Sequence, residues 1–377
     1  MEPPRIGMFF ELEVRGRTRA VEYELFQHAL DQVTVAEDLG FESVWCVEHH
    51  FTRGFSHASA PDLFLAAAAA RTKRVRIGLG VVLLPFNHPV RTAERVGTLD
   101  VLSGGRVEFG TGRGASPVEY QAFMQPFELS RQLWEDSLDA VLQIWEADGH
   151  PVEIEHERWL VPGVSVYPRP QQDPYPPIWV ASTSLEGFLA AAERGYNLMC
   201  MPMVKGLDLL AEDIAAYYKA LADHGFDPDT RRVAMNVPWV VAPTVDEAKE
   251  ATDAVMWYIR RQINLVTPPG LLDARHATHR VLGQLAAGMD PEEAIDVLVE
   301  NRMVVVDDVA GSRKALQAVA EAGATDILCQ FQVGGLDHER VLQSIQLFAG
   351  EVAKVSDGRA TVFGNEMALP VRGGAGA

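Results

Sequence analysis

Residues 76–114 read RIGLGVVLLPFNHPVRTAERVGTLDVLSGGRVEFGTGRG. An apolar run over Arg76–Leu84 comes first, and a helical pattern then opens at Pro89 and ends at a Ser-Gly-Gly turn. A second apolar run, Val107–Thr111, follows directly. This order of strand, helix and strand with short connections predicts two parallel strands joined by a helical crossover.

The same alternation extends along the chain in both directions. Six further apolar runs predict strands at Arg5–Phe10, Ser43–Val47, Ile178–Ala181, Leu198–Met201, Val233–Val241 and Ile327–Gln330. Three- and four-residue spacing predicts helices at Tyr23–Leu39, Pro61–Ala70, Pro89–Leu102 and, capped by Ser130, up to Trp145. Alternation fits a closed barrel and an open doubly wound sheet alike, but eight strands favour an α/β fold of the (β/α)8 or TIM-barrel type.

A single barrel domain is expected over residues 1–370. The mainly helical region 242–313 is too long for one crossover, so it predicts an extra helical insertion near one end of the barrel. The proline-rich segment Gly149–Pro177 predicts a long excursion between two strands. The Gly/Ala-rich residues 371–377 predict a flexible tail.

Composition excludes several classes of protein. With 47 % apolar and 23 % charged residues over 377 positions, the chain is globular and not disordered, collagenous or a coiled coil. Its formal net charge of −19 argues against nucleic-acid binding, because the chain would repel phosphate backbones. The longest apolar stretch, Leu63–Ala70, is too short to span a membrane, and the first residues lack a signal-peptide hydrophobic region. A cytoplasmic protein without a membrane partner is therefore expected. Cys46, Cys200 and Cys329 lie in separate apolar runs and are expected to be buried, unpaired thiols.

Polar side chains follow four of the predicted strands at their carboxyl ends. The groups are Glu48-His49-His50, Asn87-His88, Gly112-Arg113-Gly114 and Ser182-Thr183-Ser184. Because the active sites of barrels lie at the carboxyl ends of the strands, we expect these groups to share one face. Their convergence is the strongest indication of a functional site in the sequence.

The adjacent histidines His49 and His50 allow three interpretations. In an extended strand they face opposite sides and do not readily share a metal ion, and no further ligands at matching spacing are present, so no metal site is expected. One buried, hydrogen-bonded histidine beside one exposed histidine would be a purely structural arrangement. The favoured interpretation is a neutral histidine that donates or accepts a proton at a ligand.

Several features fit a flat, anionic ligand, and each has a simpler alternative. The Gly-rich turn around Arg113 lets a ligand approach the backbone and puts a guanidinium near a phosphate, although many tight turns look alike. Ser184 opens a helical pattern and offers an anion site or a plain N-cap. Arg131 is a second candidate cation or a solvated surface residue. Gly78 and Gly80 within one strand accommodate a flat ring or mark a bulge.

Candidate substrate-lining side chains are mostly aromatic and predict a bulky, partly apolar substrate, unless they are simply core. They are Phe10, Phe51, Phe55, Met201 and Trp239. The stretch Trp257–Arg261 is either a lid over the pocket or an ordinary exposed helix.

Taken together, these strings resemble the bacterial luciferase-like monooxygenase family over nearly the whole chain. The densest matches are Glu48-His49-His50-Phe51, Asn87-His88-Pro89-Val90-Arg91, Ser103-Gly104-Gly105-Arg106, Phe109-Gly110-Thr111-Gly112-Arg113-Gly114 and Gly334-Gly335-Leu336-Asp337-His338-Glu339. The resemblance implies a luciferase-like (β/α)8 barrel, a homodimer, and an oxidoreductase that takes reduced FMN (FMNH2) from a separate NAD(P)H:flavin reductase. With O2 as cosubstrate, a flavin C4a-hydroperoxide would oxidise a small organic substrate. An oxidoreductase of the same family that uses the deazaflavin F420, and a non-catalytic flavin-binding subunit, are the alternatives.

The resemblance also implies roles for individual residues. The catalytic residues would be His49, which matches the histidine that forms and uses the flavin peroxide, and Glu48. The cofactor-binding residues would be Gly80, Val81, His88, Gly112, Arg113, Arg131 and Ser184.

Among these, Gly80-Val81 match a non-proline cis peptide bond beneath the flavin ring, and Arg113, Arg131 and Ser184 match groups on the flavin phosphate. Gly112 stands where the luciferases carry a reactive cysteine, which argues against light emission and a long-chain aldehyde substrate. Gly187 stands where they carry a phosphate-binding threonine, so a backbone N–H would have to replace that contact.

Overall fold

The computed structural model describes residues 2–16, 18–266 and 290–361. Its strands, in chain order, are β1 Arg5–Phe10, β2 Ser43–Cys46, β3 Arg76–Leu83, β4 Val107–Gly112, β5 Val152–His156, β6 Trp159–Val164, β7 Ile178–Ala181, β8 Asn197–Cys200, β9 Val233–Val241, β10 Val305–Asp307, β11 Asp326–Gln330, β12 Val355–Ser356 and β13 Arg359–Ala360. Eight of them form a closed parallel barrel in the order β1, β2, β3, β4, β7, β8, β9 and β11, and β11 pairs back with β1. The predicted (β/α)8 barrel is therefore confirmed, and each of the eight predicted strands ends within one residue of its observed bounds.

Helices connect the strands and surround the barrel. Among the described residues, the α-helices are Arg19–Asp38, Pro61–Arg71, Pro89–Ser103, Pro117–Ala122, Ser130–Glu146, Leu185–Glu193, Leu207–Asp223, Val245–Lys249, Thr252–Val266, Pro291–Glu300, Val309–Glu321 and His338–Leu347, and a short π-helix, Phe348–Val352, follows the last of them. One predicted cap is wrong. Ser130 is already helical, because a 3-10 turn over Phe127–Leu129 leads directly into the helix, and its hydroxyl accepts a hydrogen bond from Arg113 instead.

Large side chains fill the barrel and require glycine on the neighbouring strands. Trp45 and Trp179 are almost fully buried and their rings meet edge to face at 5.4 Å. A Cβ atom on Gly78 would lie 2.0 Å from the Trp45 ring, so only glycine fits beside that indole. Gly78 is thus explained by packing.

The amino-terminal end of the barrel is closed by a buried ionic network. Arg232 donates to Glu108 Oε1 at 3.1 Å and to Asp326 Oδ2 at 3.1 Å, and Trp179 Nε1 donates to Glu108 Oε2 at 2.7 Å. Both carboxylates are almost fully buried, and their partners satisfy the charges that burial would otherwise make costly. This plug leaves the opposite, carboxyl end of the barrel for a ligand.

The chain departs from regular alternation in two places. Within the predicted excursion, β5 and β6 form an antiparallel hairpin. Within the predicted insertion, β10 pairs with the last three residues of β9, beyond the part of β9 that pairs with β11. β10 was not predicted, because three residues give too short an apolar run. Residues 267–289 of the insertion and the predicted tail 371–377 lie outside the described residues, as does 362–370.

The cysteine thiols lie in the interior of the protein. Cys46, Cys200 and Cys329 are buried and unpaired, as predicted. In the part of the chain that the structure describes, every helix is too short or too polar to cross a membrane.

Candidate active site

Glu48, directly after β2, ties together the segments that follow β2 and β3. Its Oε2 accepts a hydrogen bond from the backbone N–H of Leu83 at 3.0 Å, and its Oε1 accepts one from Asn87 Nδ2 at 3.1 Å. His50 Nε2 also lies 3.1 Å from Glu48 Oε1. Because both carboxylate oxygens are engaged by protein donors, this geometry favours a positioning role for Glu48; its predicted catalytic role stays a prediction.

His49 points to a different carboxylate. Its Nδ1 lies 3.3 Å from Oε1 of Glu119, and the same oxygen accepts a hydrogen bond from the backbone N–H of His50 at 2.8 Å. Glu119 lies in the short helix Pro117–Ala122 after β4 and has no exposed surface. The two histidines therefore serve separate partners, as their opposite directions along an extended chain predict.

Negative charge sets the protonation of His49. Burial by itself would lower the His49 pKa, but the hydrogen bond to Glu119 and the charges of Glu11, Glu119 and Glu48 outweigh that effect and raise it above its ordinary value of 6.5. This rise favours the protonated imidazolium over the neutral form that the sequence analysis favoured, and it suits the side chain to donate a proton.

Two buried carboxylates after β1, which sequence reasoning missed, complete the acidic surroundings. Burial raises the pKa of Glu11 to about 7, with His49 opposing and Glu119 adding to the rise. Burial, and then the charge of Glu11, raise the pKa of Glu13 well above its ordinary value. Glu13 accepts hydrogen bonds from Gln330 Nε2 at 2.9 Å and from the backbone N–H of Gly334. The alternating Glu11-Leu12-Glu13 directly after the first predicted strand was a usable signal for both.

Several buried oxygens at this end of the barrel have no protein partner. They are Glu11 Oε2, Glu119 Oε2, Asn236 Oδ1 and Gln332 Oε1. Buried polar atoms in folded proteins are nearly always hydrogen-bonded, so a concentration of unpaired ones indicates where a polar ligand or water binds.

The backbone at the ends of β3 and β4 is irregular where the two strands meet. The Gly80–Val81 peptide bond is cis, and the pairing of β3 with β4 shifts register between Leu79 and Val82. Gly112 lies against Val81: a Cβ atom on Gly112 would stand 2.9 Å from Val81 Cγ2. The structure thus brings Gly80, Val81 and Gly112 together and confirms the bulge in this strand. That the strand accommodates a flat ring stays a prediction.

The predicted phosphate-binding residues also converge. Arg113 Nη1 donates to Ser130 Oγ at 3.2 Å, and Arg131 follows Ser130 in the chain. Arg131 in turn pairs with Glu186, in the helix that Ser184 caps. The Ser184 hydroxyl accepts a hydrogen bond from Gly187 N at 3.2 Å, so the N-cap interpretation is confirmed.

Arg113 and Arg131 differ in whether a carboxylate pairs with the guanidinium. Arg131 is paired with Glu135 at 3.1 Å and with Glu186, and these partners raise its pKa, the Glu135 hydrogen bond most. Among the residues that the structure describes, no carboxylate lies within 4.0 Å of Arg113. Arg113 is therefore the better placed of the two to bind an anion.

His88 and two of the candidate substrate-lining residues, Phe10 and Trp239, do not face the site. His88 is exposed and its Nδ1 accepts from Val90 N at 3.2 Å, capping the helix Pro89–Ser103, with no described contact to the other site residues. Phe10 and Trp239 are core: they pack on Phe64 at 5.6 Å and on Phe348 at 5.1 Å, because alternation along β1 and β9 turns them towards the helices.

The remaining candidates lie nearer to the site. Phe55 lies beside His49, with ring centroids 5.9 Å apart. The Met201 sulfur accepts a hydrogen bond from Gln262 Nε2 at 3.4 Å. Phe51 is 63 % exposed. Trp257–Arg261 lies within the helix Thr252–Val266, whose buried Tyr258 stacks on Phe55 at 5.7 Å, so this helix forms one wall of the site.

His49 and Arg113 are linked by adjacent residues. Glu119 contacts His49, and the hydroxyl of the next residue, Tyr120, donates a hydrogen bond to the carbonyl oxygen of Arg113. That both side chains line one cavity stays a prediction. Within residues 2–16, 18–266 and 290–361, no group of three or more His, Cys, Asp or Glu side chains could hold a metal ion.

Comparisons with known proteins show the family and the fold of this chain. A family model described as luciferase-like monooxygenase matches residues 5–326. The oxygenase component of a flavin-dependent trigonelline monooxygenase from Acinetobacter baylyi is 25 % identical over 357 residues, which cover 88 % of this chain and 97 % of that protein.

Solved structures share the fold. The monooxygenase RslO1 from Streptomyces bottropensis superposes with a TM-score of 0.78 at 27 % identity, covering 92 % of this chain and 98 % of that one. The oxygenating constituent of 3,6-diketocamphane monooxygenase from Pseudomonas putida, in complex with FMN, gives 0.74 at 24 % identity, over 94 % and 99 % of the two chains. An F420-dependent secondary alcohol dehydrogenase gives 0.71 at 19 % identity, over 94 % and 100 %.

Proposed function

The chain belongs to the luciferase-like monooxygenase family, and we propose that it is the oxygenase of a two-component system that uses reduced FMN and O2 to oxidise a small organic substrate. One observation carries the proposal: a protonatable histidine, His49, on a buried carboxylate is linked through residues 119 and 120 to Arg113, which has no carboxylate within 4.0 Å among the described residues. A flavin monophosphate offers the matching features, a ring that takes part in proton transfer and an anionic phosphate at its other end.

The residues fit the phosphate of FMN at the end of β4. Arg113 has no described carboxylate partner within 4.0 Å, and Ser130 holds its guanidinium at 3.2 Å. The amino-terminal end of the helix Leu185–Glu193 is nearby, because Arg131 contacts Glu186 in its first turn. A guanidinium and the free N–H groups of a helix start favour a phosphate over a neutral ligand.

The residues also fit a flat ring at the ends of β3 and β4. Val81 Cγ2 lies 2.9 Å from where a Cβ atom of Gly112 would stand, so a ring bound here would meet the aliphatic Val81 side chain and the glycine backbone. Reduced FMN, when bound, supplies the electrons that activate O2. The protein then has to orient the ring, exclude water and deliver a proton.

His49 is the candidate proton donor. The charges around it raise its pKa and so favour its protonated form, and Glu119 orients the ring by its contact with Nδ1, which leaves Nε2 for the ligand. Phe55 and Tyr258 stack beside it and form an apolar wall that excludes water from the reacting atoms.

A separate NAD(P)H:flavin reductase is the proposed source of reduced FMN, and a homodimer is the proposed assembly. Both proposals are supported by the family, and the first also by the relative that is named as an oxygenase component. Light scattering tests the dimer, since a dimer has twice the 41.4 kDa mass of the chain.

The decisive experiment mixes the purified protein and photoreduced FMN with O2 under single-turnover conditions. We expect tight binding of reduced FMN, stoichiometric O2 uptake and slow release of H2O2 without substrate. His49→Asn should still bind FMN but release H2O2 at least about tenfold faster, since general acid–base residues contribute factors of that size or more. His150→Asn, an exposed histidine far from the site, is the matched control.

Two results would replace the proposal. Binding of reduced F420 in preference to reduced FMN, with no O2 uptake, would support the F420-dependent alternative. Binding of FMN with no acceleration of O2 uptake over free reduced FMN would support a non-catalytic flavin-binding subunit.

A further inference from the structure

We propose that a cleft at the carboxyl ends of β1 and β2 binds an anionic group of the substrate, a carboxylate or phosphate. This inference rests on the proposed function, since it names the substrate class of the same site. The cleft is lined by residues 14–16, Arg53, Gly54, Trp257 and Arg261, and encloses about 210 Å³. A volume below the roughly 300 Å³ of a typical small-molecule site suits one end of a substrate.

The segments that form the cleft are tied to one another. The backbone N–H of Val14, after β1, donates to the carbonyl oxygen of Gly54, after β2, at 2.9 Å. A Cβ atom on Gly54 would lie 2.9 Å from the Val14 carbonyl oxygen and 3.6 Å from Trp257 Cζ2. The two loops and the helix Thr252–Val266 are thus in close contact around the cleft.

The charge in the cleft is positive and mostly uncompensated. Arg15 is held by Asp253 Oδ2 at 2.7 Å and by the carbonyl oxygen of Gly334 at 2.5 Å. Arg53 and Arg261, in contrast, have no carboxylate within 4.0 Å among the residues that the structure describes. Both guanidiniums line the same cleft, and two positive charges there without a described carboxylate partner favour an anion, in a chain whose net charge is −19.

Trp257 contacts the guanidinium groups of Arg15 and Arg261. The Arg15 and Arg261 guanidinium carbons each lie 5.3 Å from its ring centroid, so the indole holds both by cation–π contact. This contact orients Arg261 towards the cleft without neutralising its charge, which leaves its N–H groups to bind an oxyanion.

The cleft lies close to the proposed reaction centre. Phe55, two residues after Arg53, packs on His49 with ring centroids 5.9 Å apart and stacks on Tyr258, the neighbour of Trp257, at 5.7 Å. A substrate whose reacting atoms lie at His49 would therefore have its far end at the cleft.

The cleft is also separate from the proposed phosphate site. In the closed order of the barrel, β1 and β2 are the first and second strands, whereas Arg113 and Ser184 follow the fourth and fifth. The flavin phosphate and the substrate anion would thus occupy different sectors of the barrel mouth.

The test uses flavin-free protein and calorimetry with benzoate, its neutral analogue benzamide, and inorganic phosphate. We expect an anion to bind, and benzamide to bind at least about tenfold more weakly than benzoate. Arg53→Gln and Arg261→Gln should each weaken anion binding by about tenfold, which corresponds to the loss of one charge-assisted hydrogen bond. Arg260→Gln, the exposed neighbour on the same helix that does not line the cleft, should bind as the wild type does.

The possible results distinguish a substrate anion from the flavin phosphate, and they distinguish failure of the cleft proposal from failure of the proposed oxygenase. Benzoate and phosphate binding that is equal in the wild type, Arg53→Gln and Arg261→Gln would overturn the cleft proposal. A second result would also overturn it. If Arg261→Gln lowers the affinity for FMN more than the affinity for riboflavin, which lacks the phosphate, then the cleft holds the flavin phosphate and not a substrate anion. Loss of anion binding in these variants together with absent O2 uptake by wild-type protein would refute the proposed oxygenase and leave the anion site standing.

Discussion

His49 Nδ1 lies 3.3 Å from Oε1 of Glu119, a carboxylate with no exposed surface that enters the site from a helix 70 residues further along the chain. The contact fixes the imidazole ring and, with the neighbouring carboxylates, reverses the effect of burial on its pKa. A buried carboxylate behind a histidine is a common means of holding one ring nitrogen protonated while the other faces a ligand.

Replacement of Glu119 by glutamine should lower the His49 pKa. The variant loses the charged hydrogen-bond partner and one of the three charges that raise this pKa, while burial, which lowers it, remains. A histidine NMR titration measures the change, with Glu128→Gln, an exposed residue of the next turn, as the control. An unchanged His49 pKa in Glu119→Gln would show that the carboxylate does not govern its protonation.

Glu11→Gln should stabilise the protein at alkaline pH. The folded-state pKa of Glu11 is about 7 against an ordinary 4.5, so the unfolded chain loses this proton first and stability falls as pH rises from about 4.5 to 7. Glutamine removes that cost, which at about 1.4 kcal/mol per pKa unit amounts to about 3 kcal/mol above pH 7.

The measurement is urea unfolding from pH 4 to 8. Wild type and Glu11→Gln should have similar free energies of unfolding below pH 4.5 and diverge above it, whereas the exposed Glu24→Gln should follow the wild type throughout. Parallel curves for wild type and Glu11→Gln would mean that Glu11 ionises normally in the folded protein.

Gly112→Ala should destabilise the fold by about 1–3 kcal/mol, the usual cost of overpacking. The added methyl group would stand 2.9 Å from Val81 Cγ2, and the branched valine side chain has little freedom to move away. Urea denaturation measures the loss, and Gly350→Ala, where a Cβ atom meets nothing within 4 Å, is the control. Adding Val81→Ala should restore most of the stability; a double variant no more stable than Gly112→Ala alone would place the clash elsewhere.

Glu186→Gln should raise the affinity for FMN by about threefold, since an exposed ion pair of this kind is worth at most about 1 kcal/mol. Glu186 competes with a phosphate for Arg131, and in the glutamine variant Glu135 remains as its carboxylate partner among the described residues. Fluorescence titration with FMN and with riboflavin, which lacks the phosphate, measures the effect. An equal gain for both flavins would mean that Arg131 does not contact the phosphate.

The sequence predicted the barrel well because the signals for it are local. Each of the eight barrel strands is an apolar run that burial on both faces of a parallel sheet requires, and each is bounded by turn residues. The same reasoning placed Glu48, His49 and Arg113 at the carboxyl ends of strands, where the fold brings such residues to one face. Sequence reasoning missed β10, because a strand of three residues is too short to show a periodic pattern.

The partners of those residues were decided only by the tertiary structure. Glu119 looked like an ordinary acidic residue, and the alternation of Glu11 and Glu13 after the first strand could indicate inward-facing side chains but not their neighbours. The burial of all three at one end of the barrel follows from barrel closure and from the path of the loops. Glu186 reaches Arg131 across 55 residues of chain for the same reason. Periodicity within a segment determines which residues point inwards, whereas contacts between distant segments depend on how the barrel closes, and no local pattern carries that information.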